Sequence, residues 1–138
     1  MKTSIVLAAM ALAAPVILGV AASADRDDDE RVEELMERVH EGKRSPYRQL
    51  RAQTEAQVPA WQVVDATLPR FDQMSRALLE SKDGDIKGSA DGYAEAVKEI
   101  VAAAKQRDTK ALRGAYQSLN NSCGDCHFKG GVGGELDE

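Results

Sequence analysis

Residues 59–79 read PAWQVVDATLPRFDQMSRALL, and along this stretch Trp61, Val64, Leu68, Phe71, Met74 and Leu78 step by threes and fours. That is the period of an α-helix with one buried face. Pro59 opens it, at a position where a missing backbone donor costs little. Pro69 lies inside the stripe, where it removes a hydrogen bond and crowds the preceding turn, so a kink or a restart is expected around Thr67 and Leu68. The stripe stays in phase across the proline, which favours a kink.

The same period recurs on both sides. Upstream, Val32, Leu35, Met36 and Val39 share one helical face that Gly42 ends. The charged run Asp25 to Glu30 before it reads as a solvated lead-in. Ser45-Pro46 has the form of a cap followed by the first helical residue, and opens a short segment with Tyr47 and Leu50 on one side. Downstream, Ser81 to Gly88 carries two glycines among charges and reads as a loop, with Ser89 as the cap of the next helix. That helix has Tyr93, Ala96, Val97, Ile100, Val101 and Ala104 on its core face. Arg107-Asp108-Thr109 breaks the pattern and caps a last helix lined by Leu112, Ala115, Tyr116, Leu119 and Cys123.

No segment alternates with period two, and no hairpin signal separates the apolar runs. The expected fold is therefore all-α. Four amphipathic helices with mostly short connections most economically form an antiparallel four-helix bundle, whose interior holds a cofactor between facing helices. The alanine-rich faces of the last two helices leave room for one.

The chain opens like a secretory leader: Lys2 supplies the charge, Ile5 to Val20 is almost wholly apolar, and Ala22-Ser23-Ala24 is a small-residue cleavage site. Residues 1–24 are thus expected to be removed, residues 25–129 to form one domain, and the Gly-rich acidic residues 130–138 to be a flexible tail. No membrane span is expected after cleavage, because the apolar run is short, broken by Pro15 and not followed by basic residues. No cysteine near the cleavage site offers a lipid attachment point. All 23 acidic residues but only 17 of the 18 basic ones lie beyond the leader, a formal charge of −6 that argues against nucleic acid as a partner.

Two cysteines in an exported chain ordinarily pair. Cys123 and Cys126 are only two residues apart, so a bridge would close a tiny loop and stabilise little. Together with His127 they form C-x-x-C-H, the attachment pattern of c-type haem. On a helix the two sulfurs lie on one face and reach the two vinyl groups along one porphyrin edge, while His127, four residues beyond Cys123, brings its imidazole under the iron. Gly124 lets the porphyrin edge approach. A thioredoxin-like dithiol belongs at a helix start after a strand, not at the end of the last helix of an all-α chain. A tetrahedral zinc site needs a fourth good ligand, and the other histidine is His40.

With an exported leader, four helices and one C-x-x-C-H motif near the C-terminus, the chain resembles the class II cytochromes c, comprising cytochromes c′ and their methionine-ligated low-spin relatives. The resemblance in architecture spans the whole mature chain, but only Cys123, Cys126 and His127 match a motif that transfers residue by residue. It implies one haem c per chain and a second haem face met by the first helix, through a methionine in low-spin members and an apolar residue in five-coordinate, gas-binding ones. Met36, on the core face, is the implied distal ligand, against the plainer reading of a core-filling methionine. His40, one turn later, is the alternative distal ligand; solvation at the helix C-terminus is its duller reading. Family members usually continue past the haem histidine with an aromatic residue and an arginine, where this chain has Phe128, Lys129 and then Gly130-Gly131.

The resemblance and the motif imply a periplasmic one-electron carrier working with redox partner proteins. The alternative is a five-coordinate protein binding nitric oxide or carbon monoxide. A homodimer through the first two helices is compatible with the outer residues Arg44, Arg48 and Arg51. No nucleophilic triad, phosphate loop or second cofactor motif points to an enzyme.

Overall fold

Side chains at three of the breaks, those of Ser45, Asp83 and Asp108, set where a helix of this chain begins. The computed structural model describes residues 21–129, with side chains from Glu30 to Gly124 and at Cys126. The helices are α1 (Ala21–His40), α2 (Pro46–Glu55), α3 (Trp61–Glu80), α4 (Gly84–Gln106) and α5 (Thr109–Lys129), and no strand occurs among the described residues. The fold is all-helical, as the periodicity predicts. The expected leader lies outside the described residues except for 21–24, whose backbone belongs to α1, and the expected tail over 130–138 lies outside them.

The charged run Asp25 to Glu30 is helical rather than an open lead-in. Aspartate costs a helix only a few tenths of a kcal/mol per residue, roughly, which the buried face of Val32, Leu35 and Val39 outweighs. After His40 the chain turns at Gly42, whose φ of 82° lies in the left-handed region open to glycine. Ser45 caps α2 as expected, its Oγ accepting from the Arg48 amide at 3.3 Å with Pro46 in the first helical position.

α3 runs unbroken through Pro69, which excludes a restart. The proline stands on the exposed face, and in the turn before it the Thr67 hydroxyl donates to the Val64 carbonyl at 2.7 Å. The loop expected over Ser81 to Gly88 shrinks to three residues. Asp83, not Ser89, is the cap: its carboxylate accepts from the amides of Asp85 and Ile86 at 2.8 and 3.2 Å. Glycines at 84 and 88 disguise this start, but Ile86 and Ala90 pack against the core and hold the early turns helical.

At the other end of α4, Arg107 has a φ of 54°. The Asp108 amide bonds the Ala103 carbonyl at 3.0 Å and the Arg107 amide bonds that of Ala104 at 3.2 Å, a Schellman ending with arginine where glycine is usual. Asp108 then caps α5, its side chain accepting from the Ala111 amide at 2.9 Å.

The core draws on every helix, with Val39, Leu50, Val64, Phe71, Met74, Ile100, Leu112 and Leu119 all essentially inaccessible. Each such side chain contributes about 1.5–3 kcal/mol through burial. α4 and α5 share the most extensive helix–helix interface. Ala96, Ala103 and Ala104 keep the α4 face thin, and Gly92 comes so close to α5 that an added Cβ would sit 3.7 Å from Ser122 Cβ. The early part of α4 thus faces the end of α5, which carries both cysteines.

Candidate functional site

Between the C-terminal half of α1, the start of α4 and the end of α5 lies a cavity of about 440 Å³. Met36, His40, Ile86, Tyr93, Cys123 and Cys126 line it, with Leu78 and Ala90 contributing apolar wall. A volume of this order and a mainly apolar lining with a few convergent polar groups are what cofactor sites present. The size follows from the helix faces: Ala90 and Gly124 are small where larger side chains would fill the gap.

Cys123 and Cys126 both border the cavity, half-buried and unbridged. The Cys123 thiol donates to the Leu119 carbonyl at 3.3 Å. Burial pushes its pKa up, with a smaller push from Cys126, against the opposing influence of hydrogen bonds at its own backbone and Ser122. A buried, protonated thiol is the reverse of the low-pKa thiol on which dithiol oxidoreductases depend. His127 follows Cys126 on α5, and its side chain lies outside the described residues.

Met36 is half-buried and packs against the core while bordering the cavity. His40, expected in solvent, is also half-buried and faces the same space. Its Nε2 is 2.9 Å from the Tyr93 hydroxyl, a hydrogen bond in either tautomer. Its ring lies among those of Tyr47, Tyr93 and Phe71, with centroids 5.2, 5.7 and 6.1 Å away. The helix C-terminus that suggested solvation is covered by α2, α3 and α4. The Ser45 hydroxyl donates to the His40 carbonyl at 3.3 Å and closes that end.

Tyr93 and Tyr47 belong to the site although their spacing marks them only as face residues. Tyr93 is 4% exposed, and burial, with a lesser contribution from Cys123, raises its phenol far above the ordinary value. A tyrosine in a face otherwise built of alanine and small aliphatics was the one signal available, because a buried hydroxyl needs a partner. Tyr47 donates to Asn120 Oδ1 at 2.8 Å, a bond that separates the cavity from a polar recess on the α2 side. The arginines of that recess are committed: Arg51 bonds Glu55 and Arg113 bonds the carbonyls of Thr54 and Ala56.

The structure therefore brings together four of the five residues singled out from sequence, Met36, His40, Cys123 and Cys126, and places the fifth, His127, on the same helix end. Two sulfurs on one helix, a thioether and an imidazole on another and an apolar gap between them fit a flat apolar cofactor held at its edge. A family model described as Cytochrome C′ matches residues 8–129. No curated protein and no solved structure gives a significant match.

Proposed function

The chain belongs to the cytochrome c′ family, whose members bind haem c covalently and act in electron transfer or gas binding, and from that premise we propose that it is an exported single-haem electron carrier with His127 and Met36 as axial ligands. The observation that carries this reading is the shared cavity, which Met36 borders from α1 and both cysteines from α5. Haem supplies reversible one-electron chemistry at its iron. The chain's own residues hold and tune it.

Cys123 and Cys126 would hold the haem edge on α5 through two thioethers, each thiol giving its sulfur to one vinyl carbon and its hydrogen to the other. His127 and the Met36 thioether would supply the nitrogen and sulfur ligands of the iron, a pair that would favour the reduced state and raise the potential. Both residues come from helices that the core holds in place, which would keep the ligand set the same in either oxidation state. Ile86, Leu78 and Ala90 exclude water from that side.

The bundle is read as antiparallel, supported by Arg31 midway along α1 meeting Glu80 at the end of α3 while His40 at the end of α1 packs beside Phe71 midway along α3, and by Arg107 after α4 meeting Asp65 early in α3. Periplasmic location after loss of residues 1–24, exchange with redox partner proteins, possession of one haem and absence of enzymatic activity complete the proposal. Proteins of this family are generally periplasmic and often dimeric. Among the described residues no helix is long and apolar enough to cross a membrane.

Gas binding is the second reading, and the His40–Tyr93 pair favours it to one extent: a polar pair at an apolar cavity can hydrogen-bond a diatomic ligand. Absorption spectra of the oxidised and reduced holoprotein decide between the two. The electron-carrier reading expects low-spin iron with a thioether-to-iron band near the red edge of the visible range, lost in Met36→Ala and kept in His40→Ala. High-spin iron that takes up carbon monoxide readily supports gas binding, and loss of low-spin character in His40→Ala alone assigns the ligand to His40.

A further inference from the structure

We propose that Tyr93 is a ligand-selecting residue: its hydroxyl holds His40 Nε2 and so reserves the sixth coordination position for Met36. The inference rests on the reading of Met36 as the distal ligand and explains why the stronger donor does not displace it. Met36 and His40 are four residues apart on α1, one turn along the same face, and both border the one cavity. A single iron offers one position on that side. Imidazole is the better ligand for ferric iron, so by chemistry alone His40 competes with the thioether.

The structure engages His40. Nε2, the ring nitrogen farther from the backbone and hence the one with reach, is hydrogen-bonded to Tyr93 at 2.9 Å. Aromatic rings of Tyr47, Phe71 and Tyr93 from three different helices confine the imidazole plane. Tyr93 is itself fixed, 4% exposed on α4, and a buried phenol without His40 would leave its hydroxyl unpaired. Each group thus satisfies the other, and swinging His40 towards iron breaks that bond and leaves the buried Tyr93 hydroxyl without it. Tyr93 acts through His40 and is a positioning residue.

The test is Tyr93→Phe in the holoprotein, a change that removes one oxygen and keeps the ring. The expected result is a ferric variant that remains low-spin but loses the thioether band, with a lower midpoint potential because imidazole replaces thioether. The double variant Tyr93→Phe with His40→Gln regains the band. A band of wild-type intensity in Tyr93→Phe overturns the inference, and so does a loss that persists in the double variant. Absence of the band from the wild type refutes instead the assignment of Met36, before any Tyr93 variant is made. Should Tyr93→Phe fail to fold, nitrogen resonances of His40 in the ferrous wild type give the answer. A hydrogen-bonded ring nitrogen is expected, and an iron-bound one overturns the inference.

Discussion

The two ends of this helical fold are closed by different chemistry. At one end, Arg107 donates twice to Asp65, with both distances 2.8 Å, while its guanidinium lies 5.5 Å from the centre of the Trp61 ring. Close by, Arg113 donates to the carbonyls of Thr54 and Ala56 at 2.8 and 2.9 Å and ties the end of α2 to α5. This end is polar, exposed and complete in itself. At the other end, Met36, His40, Tyr93 and the two cysteines surround an apolar space that no described residue fills. Polar clamps hold the helices together where the chain closes on itself, and the opposite end is left free to keep an apolar gap between its helices.

Replacing both Cys123 and Cys126 with serine is the change that separates the ends most sharply. Covalent haem should be lost completely, as read by haem staining of the denatured protein, while helix content measured by circular dichroism is largely retained, because the clamped end does not depend on either residue. Next in size is Phe71→Ala. Phe71 is fully buried beside His40, and its truncation should cost about 3–5 kcal/mol in denaturant unfolding. A loss below about 1 kcal/mol would mean that the cavity end collapses around the gap, contrary to the rigid frame described above.

A smaller effect of opposite sign is expected at Ser75, whose hydroxyl is buried on α3 with no partner among the described residues. Ser75→Ala should stabilise the fold by up to about 1 kcal/mol, since it removes an unsatisfied group. Destabilisation would show that the hydroxyl is bonded in solution.

The smallest effect concerns the clamp. Hydrogen bonding to Arg107 lowers the Asp65 pKa below its ordinary value of 3.8. A depressed carboxylate stabilises the fold above its unfolded pKa and loses that contribution as pH falls through the lower folded value. Wild type should therefore exceed Asp65→Asn slightly at neutral pH, with the gap closing below the ordinary carboxylate range and narrowing in high salt, since both partners are exposed. A gap that is constant with pH would remove the ion pair as its source.

Much of the cavity end was legible because its chemistry is carried by rare residues at fixed spacing. Cys123, Cys126 and His127 form a pattern, and Met36 falls on an apolar face that the period defines. The helix cores and the Ser45 cap were legible for the same reason: local signals and tertiary packing agree. The start of α4 was hidden, because Asp83 is followed by Gly84 and Gly88, and only the packing of Ile86 and Ala90 restores helix there. The position of His40 was hidden too. Its burial depends on α2, α3 and α4 folding over the end of α1, a long-range event without a trace in the residues around it. The Arg107 clamp is of the same kind, joining positions 42 residues apart.

Whether the helix end bearing Cys123 and Cys126 carries covalent haem is read from the intact mass of the exported protein after acid denaturation. The expected mass is that of the chain from Asp25 onward plus one haem, with both thiols consumed. An unmodified mass, or one lighter by two hydrogens from a Cys123–Cys126 disulfide, would contradict it.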